Sequence, residues 1–216
     1  MKKAIIILLF ISIKSYSIEY KIAISSSYLS TTIKYKEQKD EYGFKIIDDI
    51  ASYYKPLNSY SFGLKSNIKF KEKMQINSGI LLTRKGAVYS LPDSIFQSYW
   101  YPGLIKNNYE ICWHLDIPFY LSYNIYRSLY INVGVTNSFR IKEDQWTMIF
   151  YRHYDPTVLL GAALSYKNFL FSIDYHRSLI NLGYMDYSPL EGPQIGTKFY
   201  NQGILLSISY IILKYE

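Results

Sequence analysis

The most regular pattern in the chain is an alternation of apolar and polar residues between Trp113 and Ile125. Odd positions are apolar and even positions mostly polar, which is the period of a β-strand with two unlike faces. The alternation starts again at Leu129 and continues to Ile141, after only three intervening residues. The pattern therefore predicts two antiparallel strands joined by a tight hairpin.

Six further segments alternate in the same way, so the predicted strand count is eight. They cover residues 20–33, 60–70, 74–84, 157–166, 168–179 and 200–213. Soluble proteins usually have strands of about five or six residues, whereas a tilted strand needs about 9 to 11 residues to cross a membrane. Most of these segments have ten or more residues, which favours a transmembrane sheet.

The predicted connections alternate between short and long along the chain. Three are tight, at 71–73, 126–128 and about 167–168, and four are long, at about 34–59, 85–108, 142–156 and 180–199. Short turns at one end and long loops at the other are typical of bacterial outer-membrane barrels, with the turns periplasmic and the loops outside. Helix-like spacing at 43–54 predicts a short helix over the barrel mouth.

An open strand edge cannot be satisfied in hydrocarbon, so the first and last strands must pair. The sequence thus predicts an all-β fold, an eight-stranded antiparallel up-and-down transmembrane barrel. With only eight strands its interior is narrow and filled by side chains, which argues against a diffusion pore. Aromatic residues make up 18% of the chain, including 25 tyrosines, and such residues suit both strands and membrane interfaces.

The first residues have the pattern of a secretory signal. Lys2 and Lys3 precede an apolar run at 4–13, and Ser15 and Ser17 are small residues of the kind a signal peptidase recognises. We expect cleavage after about Ser17, leaving 18–216 as the barrel. Loss of Lys2, Lys3 and Lys14 would reduce the formal charge from +7 to +4.

The remaining composition narrows the range of functions. Basic residues are scattered, without the basic helix or aromatic-basic motif of a nucleic-acid module, so no nucleic-acid partner is expected. The single cysteine, Cys112, excludes an intramolecular disulfide and a cysteine-based metal cluster.

Several segments, in order, resemble the PorT-type outer-membrane β-barrel domain. Residues 77–87 (NSGILLTRKGA) resemble its third strand and Lys-Gly corner, 115–123 (LDIPFYLSY) its fourth strand, and 130–135 (YINVGV) its fifth. Residues 160–166 (LGAALSY) and 173–181 (IDYHRSLIN) resemble strands six and seven. The resemblance implies an outer-membrane barrel; some relatives assist protein secretion and gliding motility, and most have no assigned role. The C-terminus departs from the family pattern, because the last residue, Glu216, is not aromatic; the aromatic Tyr215 precedes it.

Two sets of residues are candidates for function. The first set, polar residues on strand faces, is predicted to form a network in the lumen: Lys65, Lys69, His114, Asp116, Asp174 and His176. Carboxylates and imidazoles can serve acid-base or metal chemistry, but a narrow barrel also needs such groups to satisfy one another. Since no serine-histidine-acid order or phosphate loop appears, we expect no enzyme, cofactor or metal.

The second set consists of loop aromatics, Tyr99, Trp100, Tyr101 and Trp146, which could bind a protein or glycan. The alternative is that they belong to the outer interfacial girdle. His153 is expected to be a solvated loop residue. Pro118, inside a predicted strand, indicates a bulge or a break in pairing. The expected partners are outer-membrane lipid, the barrel-assembly machinery and an unidentified protein or glycan.

One alternative fold remains open at this stage. An exported soluble barrel of the lipocalin type would bind a small apolar ligand, with its apolar residues pointing inward. A membrane barrel points them outward, and alternation is the same in both cases. An outer-membrane enzyme is a third class, disfavoured by the absence of a nucleophile-base arrangement.

Overall fold

The computed structural model describes residues 18–36, 54–90, 107–143, 153–181, 184–186 and 196–215. Within these ranges, no helix has the length and apolar character needed to cross a membrane. The strands are β1 Glu19–Lys36, β2 Tyr54–Lys71, β3 Met74–Ser90, β4 Asn107–Tyr126, β5 Leu129–Glu143, β6 Tyr154–Tyr166, β7 Phe169–Ser178, β8 Tyr184–Asp186 and β9 Gly196–Tyr215.

Eight of the strands form a closed barrel. Each pairs antiparallel with its neighbour from β1 through β7 to β9, and β9 pairs with β1 along almost its full length. The three-residue β8 pairs with the first residues of β9, where Lys198 pairs with Tyr184 on one side and with Lys36 of β1 on the other. The predicted eight-stranded up-and-down barrel is confirmed, and β8 is an addition within the predicted loop 180–199.

The register determines how wide the barrel is. Following paired residues from Glu19 around all eight strands leads back to β1 at Leu29, ten residues further along. Eight strands with this stagger tilt by about 40° and give a backbone radius of about 8 Å. The interior of so narrow a barrel is filled mainly by its own side chains.

The side chains of the barrel are polar inside and apolar outside. Among the described residues, 24 buried side chains are polar or charged and only 11 are hydrophobic. Large apolar side chains are instead exposed on the outer face; Ile80, Leu160 and Leu64, for example, are 59%, 56% and 53% exposed. A lipocalin has the opposite arrangement. The alternative prediction of a soluble apolar cup is therefore wrong.

The strands extend further toward the loop end than predicted. β1 continues to Lys36, β2 begins at Tyr54, β3 reaches Ser90 and β9 begins at Gly196. Beyond the apolar band the outer face touches water and needs no apolar residues, so alternation no longer reveals the strand. The three short turns lie where predicted, at residues 72–73, 127–128 and 167–168.

Pro118 breaks a ladder without shifting its register. Pairing of β4 with β3 runs to Phe119, skips Ile117 and Pro118, and resumes at Asp116 with unchanged stagger. A proline has no N–H to donate, so the ladder on that side is interrupted. Of the two alternatives predicted, the break is the one found.

Candidate functional site in the barrel lumen

The lumen brings together residues that are far apart in sequence. Lys65, His114, Asp116 and Asp174 are buried inside it, at 4%, 5%, 5% and 2% exposure. His176 also faces inward and lines the same cavity as Lys65, Asp116 and Asp174. Five of the six residues of the candidate network therefore lie within the lumen.

A chain of amides and hydroxyls runs along the inner wall of the lower lumen, on the side of the short turns. The Asn67 amide donates to Asn77 Oδ1, and Asn77 Nδ2 donates to Ser122 Oγ at 2.7 Å. Ser122 Oγ in turn donates to Asn132 Oδ1 at 2.6 Å, and Asn132 Nδ2 donates to Asp174 Oδ1 at 3.1 Å. The chain links β2, β3, β4, β5 and β7, so it fastens most of the wall from within.

The other oxygen of Asp174 is held as well. Ser172 Oγ donates to Asp174 Oδ2 at 2.8 Å. On the neighbouring strand Gly161 pairs with Asp174, and a Cβ at Gly161 would collide with the Asp174 carboxylate and with the β7 backbone. Glycine is required at position 161 because this carboxylate lies against its Cα.

A buried ion pair occupies the upper lumen. Lys85 Nζ lies 3.0 Å from Asp116 Oδ1 and donates to Ser138 Oγ at 2.6 Å. Both charged side chains are only 7% exposed. In such a position the two charges compensate each other, and loss of either would leave the other buried alone.

A small cavity lies between the ion pair and the amide chain. Its volume is about 30 Å³, enough for roughly two water molecules. Lys65 and Tyr120 line it, together with Leu29, Leu81 and Leu159. The cavity therefore has room for water-sized molecules.

Several buried polar atoms face this cavity without a hydrogen-bond partner in the described part of the chain. They are Ser61 Oγ, Thr83 Oγ1, Thr136 Oγ1, His176 Nε2 and Asn201 Oδ1. A buried polar atom without a partner is costly, and a bound water can satisfy two to four such atoms at once. The arrangement suits ordered water.

The acid and imidazole groups do not form a metal site. Within the described ranges, no three His, Cys, Asp or Glu side chains are grouped closely enough to hold an ion. Cys112 is buried, in agreement with its position on the inward face of β4. His153, on the loop side, is exposed, and its Nδ1 lies 3.5 Å from a guanidinium nitrogen of Arg140.

Lys69, the sixth residue of the candidate network, lies elsewhere. It is on the inward face at the turn end, where Lys21, Lys69 and Lys214 surround Glu19 at 2.8, 3.9 and 3.4 Å. Burial opposes ionisation of Glu19, but the hydrogen bond and charge of Lys21, followed by Lys214, lower the pKa of its carboxyl group. Lys65 and Lys69 share a face of β2, but they are four positions apart, which is about 13 Å along the strand.

Two aromatic girdles border the apolar outer surface. The loop-side girdle includes Tyr60 and Trp113, whose rings make an edge contact at 5.7 Å, and Phe139 and Tyr154, whose ring centroids lie 5.2 Å apart. The turn-side girdle consists of Tyr123, Tyr126, Tyr166, Phe169, Tyr210 and Tyr215, all exposed. Ten to twelve residues separate the girdles along β4 and β6, which at this tilt is about 25–30 Å. Transmembrane barrels have an apolar band of about this height.

Three predictions fall outside the described residues. They are the signal at 1–17, the helix at 43–54 except for Tyr54, which begins β2, and the candidate loop residues Tyr99, Trp100, Tyr101 and Trp146.

Several lumen residues were not predicted from the sequence. They are Lys85, which was expected in a loop, and Asn67, Asn77 and Asn132. Asparagine is depleted in strands, so its recurrence on inward positions was a usable signal.

Comparisons with known proteins return outer-membrane proteins at low identity. No family model matches the chain, and no curated protein does. The solved structures include OprG of Pseudomonas aeruginosa (13% identity, 93% of this chain and 97% of that chain, TM-score 0.48). They also include the neisserial surface protein NspA (8%, 88% and 96%, 0.46) and Ail of Yersinia pestis in complex with sucrose octasulfate (12%, 89% and 99%, 0.45). Because the identities are this low and the TM-scores are below 0.5, these likenesses establish no function for the chain.

Proposed function

We propose that the chain is an integral outer-membrane β-barrel protein with a closed lumen, which interacts with another molecule at its loop-bearing end. The observation that carries the proposal is the polarity of the wall, apolar outside and polar inside. A soluble protein would have to expose all the outer aliphatic side chains to water, whereas hydrocarbon covers them without cost. Within the described strands, closure of β1 on β9 leaves the barrel wall without an edge strand, which is the condition for a sheet in lipid.

The lumen supports a role without solute transport. The amide chain links five strands along the inner wall of the lower lumen, and the cavity above it has a volume of about 30 Å³. A diffusion pore needs a continuous aqueous path, which eight strands do not leave. The interaction role is therefore assigned to the ends of the barrel.

The loop end is the better candidate for a partner site. All the long connections leave the barrel at that end, and β1, β2, β3, β4 and β9 continue well past the loop-side girdle. Loops on a rigid scaffold are the usual place for binding residues. The aromatic residues Tyr99, Trp100, Tyr101 and Trp146 belong to these connections and are the residues we propose for contact with a protein or glycan.

The test of membrane insertion is cell fractionation combined with gel mobility. We expect the protein in the outer-membrane fraction, with a band that shifts on boiling because the barrel stays folded in detergent until heated. Reconstitution in planar bilayers should give no stable conductance. A soluble periplasmic protein without a mobility shift would overturn the proposal, and a steady ion current would overturn the closed lumen.

Sidedness can be tested with single-cysteine variants in a Cys112→Ser background. Asn107→Cys, at the loop end of β4, should react with a membrane-impermeant maleimide on intact cells. Ser128→Cys, in the β4–β5 turn, should react only after the outer membrane is permeabilised. The reverse labelling would place the long loops in the periplasm.

An accessory role in protein secretion or gliding motility is the second candidate, and it rests on the ordered segments that resemble the PorT-type domain. Deleting the gene in its own host and comparing secreted proteins and surface spreading tests it. Unchanged secretion and spreading would count against this role and leave the surface interaction.

A further inference from the structure

The turn end of the barrel carries a large excess of basic residues. Among the described residues at that end, seven are basic and only two, Glu19 and Glu72, are acidic. Three of the seven lysines and arginines already surround Glu19. The other four are exposed at the tips of the short turns and make no ion pair within the described part of the chain: Lys71, Lys73, Arg127 and Lys167.

Two of these cations lie over outward-facing rings of the turn-side girdle. The Arg127 guanidinium carbon is 5.1 Å from the centre of the Tyr126 ring, and Lys167 Nζ is 5.4 Å from that of Tyr166. Both rings are on the outer surface, 63% and 60% exposed. Tyrosine at a membrane surface sits at headgroup level. A cation placed beside it is therefore at the depth of the lipid phosphates and away from the barrel axis.

The turn backbones do not explain why a cation stands at these positions. Arg127 and Lys167 have φ angles of 45° and 53°. Asparagine and glycine adopt such angles with less strain than a long side chain does. Two of the three short turns nevertheless have a basic residue at the left-handed position. We therefore attribute the basic residue to a role of its charge and not to the backbone.

We infer that Lys71, Lys73, Arg127 and Lys167, the basic collar, bind the phosphate groups of anionic phospholipids in the leaflet around the turn end. The inference rests on the proposed membrane location. Lysine and arginine near a membrane attract anionic lipid, and the arginine fork can hold phosphate oxygens with two hydrogen bonds. A lipid is favoured over a soluble acidic protein because the cations lie beside rings that face outward.

The test is lipid selectivity by electron paramagnetic resonance. The purified protein is reconstituted in phosphatidylcholine vesicles containing a trace of spin-labelled phosphatidylglycerol or spin-labelled phosphatidylcholine. The fraction of each label immobilised at the protein surface gives its relative affinity. We expect a preference of roughly fivefold for phosphatidylglycerol, which weakens when about 0.5 M NaCl is added.

The collar variant is K71Q/K73Q/R127N/K167N, in which asparagine preserves the left-handed backbone of the two turns. The relative affinity of this variant for phosphatidylglycerol over phosphatidylcholine should fall close to one. The matched control is R84Q/R177Q, which removes two outward cations from the loop half of the barrel and should keep the preference of the unmodified protein. Heat-dependent gel mobility checks that both variants are folded.

Each outcome has one interpretation. Equal immobilisation of both labels, or retention of the preference by the collar variant, would overturn the inference while leaving the membrane assignment intact. If both labels are equal and the protein instead retains soluble polyglutamate through the collar, the partner is an acidic protein. If no label is immobilised at all, the protein is not in the bilayer and the proposed function itself fails.

Discussion

The Lys85–Asp116 pair offers the sharpest test of how the lumen is stabilised. Replacing Lys85 with Met keeps most of the side-chain volume but removes the charge 3.0 Å from Asp116 and the donor to Ser138. Breaking one partner of a buried pair costs about 3–5 kcal/mol. Because Asp116 also borders the water-sized cavity, some of its lost contact can be replaced by water. We therefore expect K85M to lower the free energy of unfolding by about 3 kcal/mol, the lower end of that range.

The double variant K85M/D116L separates charge compensation from packing. It removes both charges and fills similar volume, so its free energy of unfolding should lie within about 1 kcal/mol of the unmodified protein. The control K55M neutralises an exposed lysine at the loop end of β2 and should change stability by less than about 0.5 kcal/mol.

Urea unfolding in phosphatidylcholine vesicles measures these differences, with tryptophan fluorescence and the heat-modifiable gel band as two independent probes. If K85M is as stable as the unmodified protein, the ion pair contributes nothing to stability. If the double variant is as unstable as K85M, lost packing explains the effect and charge compensation does not.

Three further predictions concern other parts of the molecule. Gly161→Ala should displace the Asp174 carboxylate and lower the free energy of unfolding by about 2 kcal/mol, measured by urea titration; an unchanged midpoint would contradict the contact. Leu160→Arg, on the outer face, should lower the free energy of unfolding in vesicles by about 2–4 kcal/mol, whereas a soluble protein would tolerate arginine at this exposed position. The pKa of Glu19 is lowered in the folded state, so its contribution is present above the unfolded value of 4.5 and is lost as pH falls through the lower folded value. Glu19→Gln should thus be less stable than the unmodified protein at neutral pH, and a pH series of unfolding curves should show the two converging under acid conditions; a difference that grows on acidification would contradict this.

The strand pattern was readable in the sequence because a half-buried strand repeats every two residues. Around Trp113 to Ile125 the two faces differ in most pairs of positions, and the tight turn after Tyr126 follows from the point where alternation stops and restarts. The ends of strands beyond the apolar band were not readable. There both faces meet polar surroundings, so β3 and β9 extend through residues that carry no alternating signal.

Alternation determined that each strand has one polar and one apolar face, but not which face is inside, because period two is the same in a lipid-facing barrel and in an apolar cup. The closed barrel decided it, because Lys65, Asp116 and Asp174 are buried inside and the large apolar side chains lie on the exposed outer face. The register of β3 against β4 brings Lys85 to Asp116, 31 residues away, and the length of β2 leaves Lys69 at the rim although Lys65 on the same face lies in the lumen. Local sequence specifies faces and turns; contacts between inward side chains depend on the register of one strand against another, which no single segment contains.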